Sequence, residues 1–520
     1  MKKFILLIVT GILITGIASA GEKLRIMENL VMPSRILGQD VRFSVCLPED
    51  YHSGIRRYPV TYLLHGLGDD SSAWLEYGMI SHYADEAVRS GDAAPMIFVM
   101  PDGYRTYYVN DYKGTFRYQD MFVNELVPYI DSLFRTLPDR QHRALMGYSM
   151  GGFGALILHL LHPDVFGTAV PLSISVRTDE QYKTEDPAGW NDQWGRLFGE
   201  PGLTGDARIT PYYRQNSPFH VLRSMPDSDI RKLNIYIDNG DKEQTLCRSN
   251  EELHMLMHEL GIPHEFRVRD GGHSFAYWRS ALPDAMRFIS DAFESRPYRG
   301  DKKQTPAPDT LAAGPFRTFR SGDLQISAVL PADYPVTSRL YPVIYFAGNF
   351  SRKEQLAVGA VLNREVLAGK AGPAILVFPG DCTGSQLERA IPGIEAELRI
   401  RPGYRFRTLA CYRAESLVPY TPVINSLPFC GCFLADSRIG PDEFAAFLPG
   451  LTPEAGKRIQ FFIVAPDKGN HCEGNGNAHI LLRDKEIQHE YRVREGDGGF
   501  GWLIGALPEM IGFASIRFHK

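Results

Sequence analysis

Beyond residue 20 the chain has no apolar run long enough to cross a bilayer, which excludes an ordinary membrane-spanning helix in the body of the protein. Cations are in the minority, with 56 Lys and Arg against 61 Asp and Glu and a formal charge of −5. Two of those cations, Lys2 and Lys3, sit at the very start, so the remainder is more acidic still. Such a balance argues against nucleic acid or an anionic membrane surface as a partner. Cysteine is sparse: seven in 520 residues, five of them in the second half. An odd number leaves at least one unpaired in a monomer, and the pairing of any disulfides is not legible. No metal motif stands out, because His471, Cys472 and His479 do not make a ligand set, and no cofactor signature accompanies them.

What is present begins with a leader. Met1-Lys2-Lys3, the apolar run Phe4–Val9 and the small-residue end Ala18-Ser19-Ala20 predict a secretory signal peptide over residues 1–20, cleaved before Gly21. Export to the periplasm or beyond follows, with no stable membrane insertion after cleavage. About 500 remaining residues are enough for two cores. The stretch Ser295–Gly314, rich in charge and proline, reads as a join. The expected division is residues 21–297, a linker at 298–314, and residues 315–520.

The chemistry gathers in the first part. At residues 147–152 Gly-Tyr-Ser-Met-Gly-Gly lies between an apolar run, Ala144-Leu145-Met146, and a small-residue helical run from Phe153. A strand, a tight turn and a helix in that order present a serine hydroxyl out of a sheet, and the glycines let strand and helix come close. Ser149 is thus the candidate nucleophile and Gly147 and Gly151 form the elbow. The Met150 amide, at the helix start, can stabilise an oxyanion. A second amide is available at Leu67, where the buried strand Tyr58–Leu64 runs into His65-Gly66-Leu67-Gly68.

A serine needs a base, and His273 supplies it after the strand-like segment His264–Arg269 and Gly271-Gly272. The acid that orients the base should lie near the end of the preceding strand, Leu233–Ile237. Asp238, Asp241 and Glu243 all qualify there, and spacing alone does not choose. The aromatics Trp74, Tyr107, Tyr108, Tyr112, Tyr118, Tyr277 and Trp278 are either core or a platform for a sugar or phenolic group.

Together, Val45–Tyr51, Leu64-His65-Gly66, Val99–Gly103, Gly147–Gly152, His162–Phe166 and Gly271-Gly272-His273 resemble the esterase D and feruloyl esterase group of α/β-hydrolases over residues 30–295. That resemblance implies a mostly parallel sheet with helices on both faces. It implies a serine carboxylic ester hydrolase without a cofactor, and a substrate class of feruloyl or acetyl esters on plant polysaccharide such as xylan. Acyl transfer through the same residues is the alternative, and a glycan- or partner-binding protein with a vestigial hydrolase is another. The resemblance places the acid on Glu243, with Asp241 as the alternative.

The second half echoes the first. Tyr341-Pro342-Val343-Ile344-Tyr345 follows Tyr58-Pro59-Val60-Thr61-Tyr62, and residues 489–508 match residues 264–283 at ten of twenty ungapped positions. The chemistry does not recur: Arg413 falls at Ser149, Glu415 at Gly151, Gly498 at His273, Gly469 near Glu243 and Gly348-Asn349-Phe350 at the oxyanion turn. A degenerate, noncatalytic copy in tandem is expected, with the insertion around residues 170–225 largely missing. A separate cysteine chemistry at Cys411 or Cys430 and Cys432 has no identified base. Because every residue with an assigned role precedes the join, the first part is expected to suffice for small esters.

Overall fold

The computed structural model describes residues 25–302 and 313–518, apart from 244, 337–339, 369, 440 and 470. The expected leader and residues 303–312 of the expected join lie outside the described residues. In the first half the strands are β1 (Ile26–Ser34), β2 (Gln39–Cys46), β3 (Val60–Leu64), β4 (Ile97–Pro101), β5 (Arg143–Tyr148), β6 (Thr168–Leu172), β7 (Ile235–Gly240) and β8 (His264–Arg269). They are ordered β1-β2-β4-β3-β5-β6-β7-β8, parallel from β4 onward, with β1 and β2 antiparallel at the edge. This is an α/β-hydrolase sheet.

The second half repeats the order. Its strands are β9 (Phe316–Ser321), β10 (Leu324–Val329), β11 (Val343–Ala347), β12 (Ile375–Gly380), β13 (Arg407–Tyr412), β14 (Gly431–Ala435), β15 (Gln460–Pro466) and β16 (His489–Arg494). They run β9-β10-β12-β11-β13-β14-β15-β16 away from the outer edge, again with two antiparallel strands first. Between β14 and β15 the helices Pro441–Gly450 and Pro453–Arg458 replace the long series from Asp179–Thr184 to Asp227–Ile230 that separates β6 from β7.

The halves do not form two separate sheets. β8 and β16 pair antiparallel, so all sixteen strands belong to one sheet. The bridge joins Val268 to Val493, the same position of the repeated His-Glu-(Phe/Tyr)-Arg-Val-Arg hexapeptide. The two halves are thus related by an approximate two-fold axis through that bridge. Reciprocal contacts obey it: Arg267 of β8 pairs with Asp467, and Arg492 of β16 pairs with Asp241 at 2.6 Å. An antiparallel join points the C-terminal strand ends of the halves in opposite directions.

Alternation along the strands sorts the core. Ala144 and Met146 of β5 face one apolar cluster and Leu145 faces another, because successive side chains leave opposite faces. The Leu145 face carries one apolar layer that continues from Val60 and Tyr62 through Val268 and Val493 to Val343 and Tyr345. The opposite face carries two separate clusters, one under the helix Phe275–Phe293 and one under Phe500–Phe518. Among the described residues the apolar burial is thus divided between the halves on one face and continuous on the other. The expected self-sufficiency of the first half meets an obstacle, since β8 is an interior strand. No helix among the described residues is long and apolar enough to cross a membrane.

Candidate active site

Ser149 directly follows β5 and stands at the N-cap of the helix Met150–Leu161, with φ 58° and ψ −119°. A non-glycine residue holds positive φ only where its surroundings enforce it. The surroundings are backbone. A Cβ on Gly151 would come within 2.1 Å of the Leu64 carbonyl oxygen, and one on Gly147 within 2.3 Å of the Gly151 oxygen. Glycine at both positions is what lets the helix rise directly off the strand. Eleven of that helix's twelve residues are buried, so it has little freedom to shift.

The structure brings Ser149, His273 and Glu243 together. The Ser149 hydroxyl donates to His273 Nε2 at 2.9 Å, and His273 Nδ1 donates to Glu243 Oε2 at 2.6 Å. Glu243 is buried, while 40% of the His273 side chain is exposed, so the pair has one end in the protein and one toward solvent. The other carboxylate oxygen, Oε1, accepts from the Ser173 hydroxyl at 2.6 Å, and Ser173 Oγ in turn accepts from Trp278 Nε1 at 2.8 Å. With its lone pairs engaged, the carboxylate has one productive orientation toward the imidazole.

Ser173 was not among the sequence candidates. It directly follows β6 and has φ 46°, and its only sequence signal is its place at the C-terminal end of a strand neighbouring β5.

The other two acids are elsewhere. Asp238 is fully buried and bonded to Arg269 Nε at 2.8 Å and to the Tyr236 and Tyr277 hydroxyls. Burial pushes its pKa upward against the pull of Arg269. Asp241, the alternative acid, faces away from His273: Oδ2 binds Arg492 of the second half and Oδ1 accepts from the Gly271 amide at 3.0 Å. Two residues of offset in the loop after β7 send the Asp241 and Glu243 carboxylates to different neighbours.

Leu67 follows Gly66, and a Cβ on Gly66 would lie 3.4 Å from that of Ser149, so this turn packs on the elbow. His65 anchors it, with Nδ1 donating to the Gly66 carbonyl at 2.8 Å and Nε2 accepting from the Gly103 amide at 2.7 Å. Met150 opens its helix. Among the described residues neither the Leu67 nor the Met150 amide donates to a protein acceptor. Two free N–H groups beside a serine hydroxyl can stabilise negative charge on a substrate oxygen.

Of the two readings of the aromatics, core and platform, burial favours core. Trp74, Tyr107, Tyr108, Tyr118, Tyr277 and Trp278 are all buried, and only Tyr112 is exposed. Tyr148 stacks on Trp278 at 4.1 Å, and Tyr107 packs against Trp194 and Phe153. These rings build the walls behind the site rather than a surface in front of it.

In the second half Arg413 has φ 53° at the place of Ser149, and its Nε donates to Asp436 Oδ2 at 2.9 Å. Asp436 stands where Ser173 does and is buried. Gly498 leaves room for it, since a Cβ there would be 2.5 Å from Asp436 Oδ2. An ion pair thus fills the counterpart of the site. The described cysteines, including Cys411, Cys430 and Cys432, are buried and form no disulfide; burial pushes the Cys430 thiol up, and a hydrogen bond with Cys411 together with burial pushes Cys432 up, away from thiolate chemistry. His479 donates to His489 rather than joining a ligand set. Asp241, Asp270 and Glu490 converge within 4.8 Å of one another, and the Arg492 guanidinium already contacts all three.

Comparison with known proteins follows the same outline. Residues 34–289 match the family model described as "Putative esterase". An esterase of Mycobacterium tuberculosis strain H37Rv is 29% identical over 278 residues, 50% of this chain and 57% of that protein. An endo-1,4-beta-xylanase/feruloyl esterase of Xylanibacter ruminicola is 34% identical over 152 residues, 27% of this chain and 20% of that one. Among solved structures, a ferulic acid esterase is 30% identical, covering 52% of this chain and 98% of its own, with a TM-score of 0.44. The chain spans little more than half the length of the mycobacterial relative. Residues 34–289, nearly all of the first half of the chain, belong to the family described as putative esterases.

Proposed function

We propose that the protein is a serine carboxylic ester hydrolase acting through Ser149, His273 and Glu243. The observation that carries this is the continuous line from the Ser149 hydroxyl through both nitrogens of His273 to a buried carboxylate. His273 takes the serine proton as Oγ attacks the ester carbonyl, and Glu243 stabilises the resulting imidazolium. The Leu67 and Met150 amides hold the oxyanion. His273 then delivers its proton to the departing alcohol oxygen, leaving an acyl-serine. Water, deprotonated by the same histidine, releases the acid and regenerates the hydroxyl.

The substrate class we favour is an acyl group, feruloyl or acetyl, on an exported polysaccharide such as xylan. The leader at residues 1–20 and the resemblance to feruloyl esterases support it. The second half is read as a noncatalytic copy, and no metal or cofactor is called for. A panel of methyl ferulate, acetylated xylan and short p-nitrophenyl esters tests the reading. Turnover of at least one, abolished in Ser149→Ala, is expected, and no turnover of any would overturn it. Product analysis with a sugar alcohol present separates hydrolysis from acyl transfer.

A further inference from the structure

The residues assigned to catalysis lie in the first half, yet the loops that carry two of them are tied down from the second. We infer that Arg492, on β16, is a positioning residue for His273 and Glu243, an inference that rests on the esterase reading above. Asp241 is the intermediary. Its Oδ2 is held by Arg492 Nη1 at 2.6 Å and by the Tyr491 amide at 3.4 Å. Its Oδ1 accepts from the Gly271 amide at 3.0 Å, and the neighbouring Lys242 amide donates to the Gly271 carbonyl at 2.8 Å. Arg483, also from the second half, donates to the Asp241 carbonyl at 2.6 Å. Glu243 is two residues beyond Asp241, and His273 two beyond Gly271. One carboxylate therefore laces together the loops that bear the base and its acid, and a cation from the other half fixes that carboxylate.

Burial does not fix His273, whose side chain is 40% exposed on a Gly271-Gly272 loop. Its place depends on how that loop is tethered. The 2.6 Å contact to Glu243 tolerates only small loop displacements before catalysis suffers. The Arg492 and Asp241 side chains are 6% and 1% exposed, so the pair is shielded from screening, and removing the cation leaves a buried carboxylate that must protonate or turn away. Either response weakens its hold on Gly271. Arg492 has other partners, Glu490 at 2.7 Å and Glu509 at 3.1 Å, which orient its remaining nitrogens.

The approximate two-fold supplies an internal control. Arg267 holds Asp467, whose Oδ1 accepts from the Gly496 amide at 2.8 Å, while the Lys468 amide donates to the Gly496 carbonyl at 2.9 Å. The same lacing there supports Gly469 and Gly498, where no chemistry remains. Two equivalent ion pairs cross one seam, and only one of them adjoins the site.

The test compares full-length wild type, Arg492→Gln, Arg492→Lys and Asp467→Asn in steady-state hydrolysis of p-nitrophenyl acetate, normalised to folded protein. Arg492→Gln should lose about tenfold or more in kcat with KM little changed. Arg492→Lys, which keeps a cation beside Asp241 and serves if the glutamine variant does not fold, should recover part of that loss. Asp467→Asn should remain within about twofold of wild type even if it melts lower. Equal losses in Arg492→Gln and Asp467→Asn would reduce the seam to general stability and overturn the inference, as would full activity in both Arg492 variants. If wild type itself turns over no ester, the esterase reading has failed first.

Discussion

Ser149 and Arg413 stand at equivalent turns and share one left-handed backbone, with φ of 58° and 53°. The second half has thus kept the strained strand end while losing everything the strain serves. The partner of Arg413 is Asp436, itself packed against Gly498, where Ser149 has a histidine. Arg413→Ser should therefore give no second active site. In a Ser149→Ala background its rate on p-nitrophenyl acetate should equal that of Ser149→Ala alone, because a hydroxyl without a base or an oxyanion turn is not a nucleophile.

Ser149→Ala and His273→Ala should each lower turnover by roughly 10⁴-fold or more, and the double variant should be little worse than either. The residues act as one relay, so the second loss removes nothing further. Steady-state rates normalised by circular dichroism check both halves of this statement. Near-normal turnover in Ser149→Ala, free of contaminating esterase, would remove the serine from the mechanism.

Glu243→Gln replaces an anion that accepts from His273 and from Ser173. A loss of about 10³- to 10⁴-fold in kcat is expected, from the missing imidazolium stabilisation and the wrong tautomer. Ser173→Ala leaves the charge in place and frees one carboxylate oxygen, so its loss should be nearer tenfold. The order of the two variants in kcat is the measurement, and a larger effect at Ser173 would contradict it.

A methyl group at Gly151 would sit 2.1 Å from the Leu64 carbonyl oxygen, a contact with backbone that no rotamer relieves. Gly151→Ala should cost at least ~2 kcal/mol of stability, at the upper part of what overpacking does, and most of the activity. Chemical denaturation and ester turnover together test it. A control at Gly38, where a Cβ meets nothing within 4 Å despite a φ of 66°, should lose no activity.

Stability should pass through a maximum with pH. His264 and His489 accept from His254 and His479 in two matching buried pairs, and burial lowers the pKa of both acceptors to about 4. Their contribution is present above the ordinary imidazole value of about 6.5 and is lost as pH falls toward 4. Glu251, buried against the Tyr491 hydroxyl, is pushed up to about 8. Its proton is a stabilising one, and that contribution falls as pH rises from about 4.5 through 8. Melting temperature should climb to a maximum near pH ~6.5 and then decline, and Glu251→Gln should flatten the decline. A monotonic rise to pH 9 in the wild type would count against the Glu251 assignment.

The elbow was legible because its residues are contiguous: Gly147, Ser149 and Gly151 each answer a local steric demand. His273 was legible through its strand and its two glycines. Glu243 came from resemblance, since nothing local distinguishes it from Asp241; what separates them is a partner, Arg492, 251 positions away. The sheet of each half was readable from alternating apolar runs and the repeat. Its continuation across β8 and β16 was not, because an edge strand and an interior strand of the same composition look alike in sequence. Ser173 is invisible for a related reason, its role being defined by Trp278 and Glu243 rather than by its neighbours.

The single bridge between Val268 and Val493 has a consequence for how the chain is made. Its two sides are 225 positions apart, so at ordinary rates of translation β8 waits on the order of tens of seconds for its partner. During that interval the first half has a completed helix-covered sheet ending in an open row of backbone donors and acceptors, which invites pairing with any other extended chain. Arg267 lies on that waiting strand and Asp270 just past its end, and both later pair across the seam, with Asp467 and Arg492. The charges that later close the seam also guard it while it is still an edge, so a variant that neutralises them should be recovered in aggregates before any effect on the finished protein is seen.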